Sequence, residues 1–142
     1  MNQHTIKEAV SISGVGLHSG SKVTMTFNPA PVNHGVKFQR IDLEAAPIVV
    51  ADVNKVVSTN RSTTIQSGEA SVKTVEHTLS ALMGMGIDNV LIEIDGLEAP
   101  ILNGSNEEII AVLEKAGLEE QELEREFFEI EETISFKDEA TG

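Results

Sequence analysis

The stretch from Val72 to Gly86, V-K-T-V-E-H-T-L-S-A-L-M-G-M-G, limits the possible folds most, because it reads as a helix with almost no face for water. Advancing roughly 100° per residue, Val75, Leu79, Leu82 and Met83 fall on one stripe that suits packing on a sheet. His77, Ser80, Ala81 and Gly84 share the opposite side, and after Lys73 the only charge is Glu76 at the stripe's edge. Helices that meet water usually carry charge outside, whereas those without it are covered on both sides. Small residues let another backbone approach closely, so the pattern predicts a covering body over His77.

Two readings of His77 stay open at this level. A helix histidine can simply be hydrogen-bonded in a packed interior. The other reading starts from position: Glu76 and His77 sit in the first turn, where unpaired amides and the macrodipole favour a carboxylate and disfavour an imidazolium. A neutral imidazole there is suited to binding a metal, and the ionised carboxylate beside it to taking a proton. Neighbouring helix residues point about 100° apart, so the pair would serve one metal site from two directions rather than chelate. A single histidine is not a metal site, since zinc centres draw on several protein ligands.

The 142 residues allow one domain with a substantial core and the start of another. With five Phe and no Tyr or Trp, that core is mostly aliphatic. A formal net charge of -13 argues against a sequence-independent hold on nucleic acid and against docking on anionic lipid. The chain has no cysteine, hence neither disulfides nor thiolate chemistry. It shows no N-terminal apolar signal region and no apolar run of membrane-spanning length, so the expectation is a cytoplasmic protein without a transmembrane segment.

Elsewhere in the chain, residues 5–12 roughly alternate before the glycine-rich S-G-V-G-L-H-S-G of Ser13 to Gly20, where His18 faces either a site or water. Lys22 to Phe27 alternates as a half-buried strand, Asn28-Pro29-Ala30-Pro31 ends it, and Val36 to Ile41 resumes the pattern. Ile48 to Val57 is β-branched and extended. The polar Ser58 to Thr64 that follows is either an exposed ribbon or a lip over a polar ligand, with Arg61 available to an anion. Gln66 to Ala70 forms a turn, and Val90 to Ile94 is a buried strand. Ser105 and Glu108 have capping-box spacing before a second helix, which Gly117 ends. Ile109, Ile110, Val112, Leu113 and Ala116 share one side of it, and Glu107, Glu108, Glu114 and Lys115 the other. Glu119 to Glu126 reads as a solvated linker, and Phe128, Ile130, Ile134 and Phe136 as a strand of a further domain. Strands followed by helix, strand, helix predict an α+β two-layer sandwich, a small mixed sheet with two helices on one face.

Five strings in order, S-G-V-G-L-H-S-G, N-P-A-P, T-V-E-H (Thr74 to His77), G-I-D-N (Gly86 to Asn89) and A-P-I-L-N-G-S (Ala99 to Ser105), give the chain its family likeness. It resembles the N-terminal domain of the UDP-3-O-acyl-N-acetylglucosamine deacetylases, zinc enzymes of lipid A biosynthesis in Gram-negative bacteria. The resemblance implies the first of two similar α+β domains packed helix layer to helix layer, with the active site between them. Residues 1–122 would form this domain, and 123–142 the linker and first strand of the second. By the T-V-E-H match, His77 corresponds to a zinc ligand and Glu76 to the general base. The remaining ligands, in an H-x-x-x-D motif, belong to the second domain, and no histidine follows His77 here. His18, Arg61, Ser62 and Thr63 fall where the family borders its substrate, a UDP-sugar lipid. Asn103 stands where the family commonly has aspartate, which leaves it a turn role. The implied chemistry is zinc-assisted hydrolysis of an acetamide by the whole protein, with residues 1–142 alone inactive and holding Zn2+ only weakly. The competing class is a non-catalytic α+β module whose uncharged helix side binds another protein.

Overall fold

Two patterns of alternation build the centre of the molecule, and the computed structural model describes residues 1–139 around them. In chain order the strands before the first helix are β1 (Asn2–Ile6), β2 (Val10–Val15), β3 (Lys22–Pro29), β4 (Val36–Arg40), β5 (Ile48–Val50), β6 (Val56–Ser58), β7 (Thr64–Ser67) and β8 (Ala70–Lys73). Then come α1 (Glu76–Met85), β9 (Val90–Ile94), α2 (Glu107–Ala116) and β10 (Leu118–Glu124).

The main sheet has the order β2-β3-β9-β4-β5 and is antiparallel except where β4 lies parallel to β9, so it is mixed. Val23, Met25 and Phe27 of β3 and Val90, Ile92 and Ile94 of β9 point to one face and are buried. Burying each such side chain is worth about 1.5–3 kcal/mol, and together they fix which face is inside. The opposite face is polar: Ser11 pairs with Thr26 and Ser13 with Thr24, hydroxyl to hydroxyl, at 2.9 and 3.0 Å. Both helices add to the apolar side, where Ala81, Leu82, Ile109 and Leu113 join the same buried cluster and the Thr78 hydroxyl lies 4.0 Å from the Met25 sulfur. The α+β arrangement expected from the element order is the one observed. Three short strands, β6-β7-β8, add a second sheet. Buried Arg40 ties it to β4 by donating to the Ser71 carbonyl at 2.6 Å while its other nitrogens grip Asp42. No helix among the described residues is long and apolar enough to cross a membrane.

Several local expectations are corrected. The first helix begins at Glu76, because Ala70–Lys73 pairs with β7 as a strand and Thr74, at φ 58°, breaks the chain direction between them. Its buried face is also rotated: Met83 is 84% exposed, while Ala81 is 1% exposed. Small Thr78 and Ala81 let the helix sit close over the sheet, and close approach decides which side turns inward. Residues 119–124, read as a linker, form most of β10 and pair antiparallel with β1. Backbone pairing there overrides a run of glutamates whose side chains mostly stand in water. Phe128, Ile130, Ile134 and Phe136 are exposed and belong to no strand. The capping box does not form either. The Ser105 hydroxyl accepts the Glu107 N–H at 3.2 Å, one turn position away from the box geometry.

Asp88 and Asn89 lock the ends of the domain together. The Asp88 carboxylate accepts the His4 N–H and pairs with Arg125, both at 2.8 Å. Buried Asn89 donates to Gln3 and Gln121 and accepts the Gly35 N–H, so both ends of its amide have partners inside. The N-P-A-P segment is held the same way: Ala30 N–H donates to the Thr5 hydroxyl and its carbonyl accepts Gln121.

Candidate functional site

The T-V-E-H residues lie where strand β8 turns into α1, and three segments distant in sequence meet there. Glu76 is the first residue of α1, and one carboxylate oxygen accepts the Thr63 N–H at 3.0 Å. The Val75 N–H reaches the Thr63 carbonyl at 3.4 Å, so the loop between β6 and β7 is moored to the helix start twice. Two residues earlier in that loop, the Arg61 carbonyl accepts a hydrogen bond from His18 Nε2 at 3.3 Å, which requires the proton on that nitrogen. His18, Arg61, Ser62, Thr63, Glu76 and His77 are thus brought into one region.

Two hollows open on it. Glu76, His77, Ser80, Ser105 and Asn106 line one of about 400 Å³. Along its floor Asn106 donates to the Ser80 hydroxyl at 2.7 Å, and that hydroxyl donates to the His77 carbonyl at 3.1 Å. The other, about 320 Å³, is lined by His18, Ser58, Arg61, Ser62 and Lys73. The half-buried His77 ring makes no hydrogen bond among the described residues, and Ser80, Met83 and Gly84 of the same helix are exposed. Asn103 keeps the turn role: its side-chain oxygen accepts both the N–H and the hydroxyl of Ser105, at 2.9 and 2.8 Å.

The residue that sequence reasoning missed is Glu98, 2% exposed at the back of this region. Its carboxylate accepts the His18 N–H at 3.0 and 3.1 Å, the Ser19 N–H at 2.7 Å and the Thr74 hydroxyl at 2.8 Å. Burial alone would raise its pKa, but the hydrogen bonds from His18, Ser19 and Thr74 outweigh it and bring the group from 4.5 to about 2. A signal was present: Glu98 is a lone carboxylate inside L-E-A-P, flanked by residues that read as core. Gly16 belongs to the same device, because a Cβ there would collide with the Ser19 hydroxyl and with Glu98 Oε2.

A family model described as LpxC, UDP-3-O-acyl N-acetylglycosamine deacetylase, matches residues 3–141. The chain belongs to this deacetylase family. It is 46% identical to the bifunctional enzyme LpxC/FabZ of Bacteroides thetaiotaomicron over all of its own length and 31% of the relative's. Two UDP-3-O-acyl-N-acetylglucosamine deacetylases, from Xanthomonas oryzae pv. oryzae and Xanthomonas campestris pv. campestris, are 44% and 42% identical over 96% of this chain and 45% of theirs. The chain therefore spans 31% to 45% of the length of the relatives it matches.

The deacetylase likeness raises the question of a metal. Among the described residues no three His, Asp or Glu side chains converge on a point that could hold one. His77 offers a free imidazole, and Glu76 a carboxylate with one oxygen committed to Thr63. Among the described residues this donor set suffices for one corner of a metal centre and no more.

Proposed function

We propose that the chain is the N-terminal part of a zinc-dependent, cytoplasmic deacetylase that hydrolyses the acetamide of UDP-3-O-acyl-N-acetylglucosamine in lipid A biosynthesis of a Gram-negative bacterium. The observation that carries this reading is the open first turn of α1, where an unpaired His77 ring and a held Glu76 carboxylate flank a hollow. Support comes from the family and from relatives named as that deacetylase.

In this reading His77 supplies one ligand, and a second domain of the same polypeptide supplies the rest and closes the hollow from above. Zinc, when bound, polarises the acetamide carbonyl and acidifies water. Glu76 then takes the proton of the attacking water. The Thr63 N–H fixes one carboxylate oxygen, so the other is presented in a constant direction, which general-base catalysis requires. Attack on the carbonyl carbon breaks the C–N bond to leave acetate and the sugar amine, and the proton held by Glu76 is available to that amine. His18, Arg61 and Ser62, which line the second hollow, form with the neighbouring Thr63 the rim that receives the UDP-sugar, with Arg61 offering a guanidinium to its anionic groups.

The test is hydrolysis of the acetylated UDP-sugar by the full natural polypeptide that includes these residues. Acetate release that disappears in Glu76→Gln and His77→Ala supports the proposal. Wild-type protein that carries zinc yet releases no acetate ends it. Residues 1–142 alone are expected to be inactive.

A further inference from the structure

The geometry points to Glu98 as a positioning residue for His18: one buried carboxylate ties the glycine-rich loop to the strand–helix junction and so sets where the His18 ring meets the substrate rim. The inference rests on the proposed reading of that rim as substrate-facing.

Three observations converge. Both oxygens of Glu98 are used, Oε2 by the successive N–H groups of His18 and Ser19 and Oε1 by His18 and the Thr74 hydroxyl. The backbone of His18 is thus anchored while its side chain is exposed and reaches across to the Arg61 carbonyl. Second, Thr74 is a β-branched residue at φ 58°, a conformation that persists only where its surroundings impose it. Its hydroxyl bond to Glu98 supplies the restraint, two residues before Glu76. Third, strand-like bridges hold the carboxylate's own backbone rigid: Lys73 N–H donates to the Leu97 carbonyl, and Ala99 N–H to the Lys73 carbonyl. Glu98 makes no hydrogen bond to Glu76 or His77 among the described residues. It acts on the rim through the His18 backbone, so its loss should loosen substrate binding and leave the metal corner intact.

The experiment compares Glu98→Gln, Gly16→Ala, His18→Ala and the Glu98→Gln/His18→Ala double variant. Amide exchange is followed in the 142-residue chain, with KM, kcat and zinc content measured in the full natural polypeptide. Glu98→Gln keeps the shape but weakens the charged acceptor. The His18 and Ser19 amides should then exchange about 10- to 100-fold faster. KM should rise about tenfold while kcat and bound zinc hold within about twofold, and the double variant should be no worse than His18→Ala. Gly16→Ala keeps the carboxylate but its Cβ would press on both the Ser19 hydroxyl and Glu98 Oε2, displacing the two together, and should give the same signature. Unchanged exchange at His18 and Ser19, or KM losses that simply add in the double variant, would overturn the inference. Faster exchange with no KM effect from His18→Ala overturns it in a distinguishable way, since the clamp then exists and the substrate-facing reading of His18 is what failed.

Discussion

Glu76 and Thr63 are joined carboxylate to backbone N–H at 3.0 Å, so the side chain assigned the proton-transfer role is also the mooring of the loop beside it. Replacing Glu76 by Gln keeps an oxygen for the Thr63 N–H and removes the base. Deacetylation by the full natural polypeptide should fall at least about 100-fold, with KM little changed. Thermal unfolding of the 142-residue chain should shift by less than about 1 kcal/mol. Steady-state assays and calorimetry measure the two effects separately.

His77→Ala should be almost silent for stability, because the ring makes no hydrogen bond among the described residues. A half-buried side chain outside the core cluster costs about 0.5 kcal/mol or less. In the full natural polypeptide, zinc counted by atomic emission after dialysis should fall well below one per chain. Retention of stoichiometric zinc would remove His77 from the ligand set.

The carboxylate of Glu98 makes stability depend on acid in a defined direction. Its pKa is lower in the folded chain, about 2 against 4.5, so its contribution is present above pH about 4.5. It is lost progressively as pH falls through that window towards 2, where the folded group finally takes a proton. Asp42, held below its ordinary value by its hydrogen bond to Arg40, adds in the same sense. At pH 7, Glu98→Gln should cost about 2–3 kcal/mol, and the deficit relative to wild type should shrink at pH 3. Urea unfolding at the two pH values decides it.

The rotated face of α1 gives a paired comparison. Met83→Asp in the 142-residue chain should change stability by no more than about 0.5 kcal/mol, since the side chain stands in water. Ala81→Asp should unfold or nearly unfold it, as a carboxylate would enter a packed interface without a partner. Circular dichroism melts of the two variants would show the difference directly.

Core strands were legible wherever one face is apolar and the other polar, as at Val23, Met25 and Phe27 against Thr24 and Thr26. The second helix was legible for the same reason. The first was misjudged because periodicity alone cannot rank Met83 against Ala81: volume says Met is inside, whereas the close approach of helix to sheet favours Ala. Residues 119–124 hid as a linker because what makes them a strand is the backbone of β1, far away in sequence. Of the site, Glu76, His77, His18 and the Arg61–Thr63 loop could be named from motifs, and the structure brings them together. Glu98 stood out only as a lone carboxylate among apolar neighbours, and its role was not legible, since most of its donors are main-chain groups that no side-chain motif records.

The pairing of Asn2 with Glu124 has a bearing on how such a chain is made. A ribosome releases the first strand long before its partner, and β1 stays an open edge until β10 has cleared the exit tunnel. The contacts of Asp88 with Arg125 and of Asn89 with Gln121 can form only after that. A newborn chain stalled before Glu119 would display the main sheet and both helices yet leave β1 unzipped, exposed to proteases and to strands of neighbouring chains.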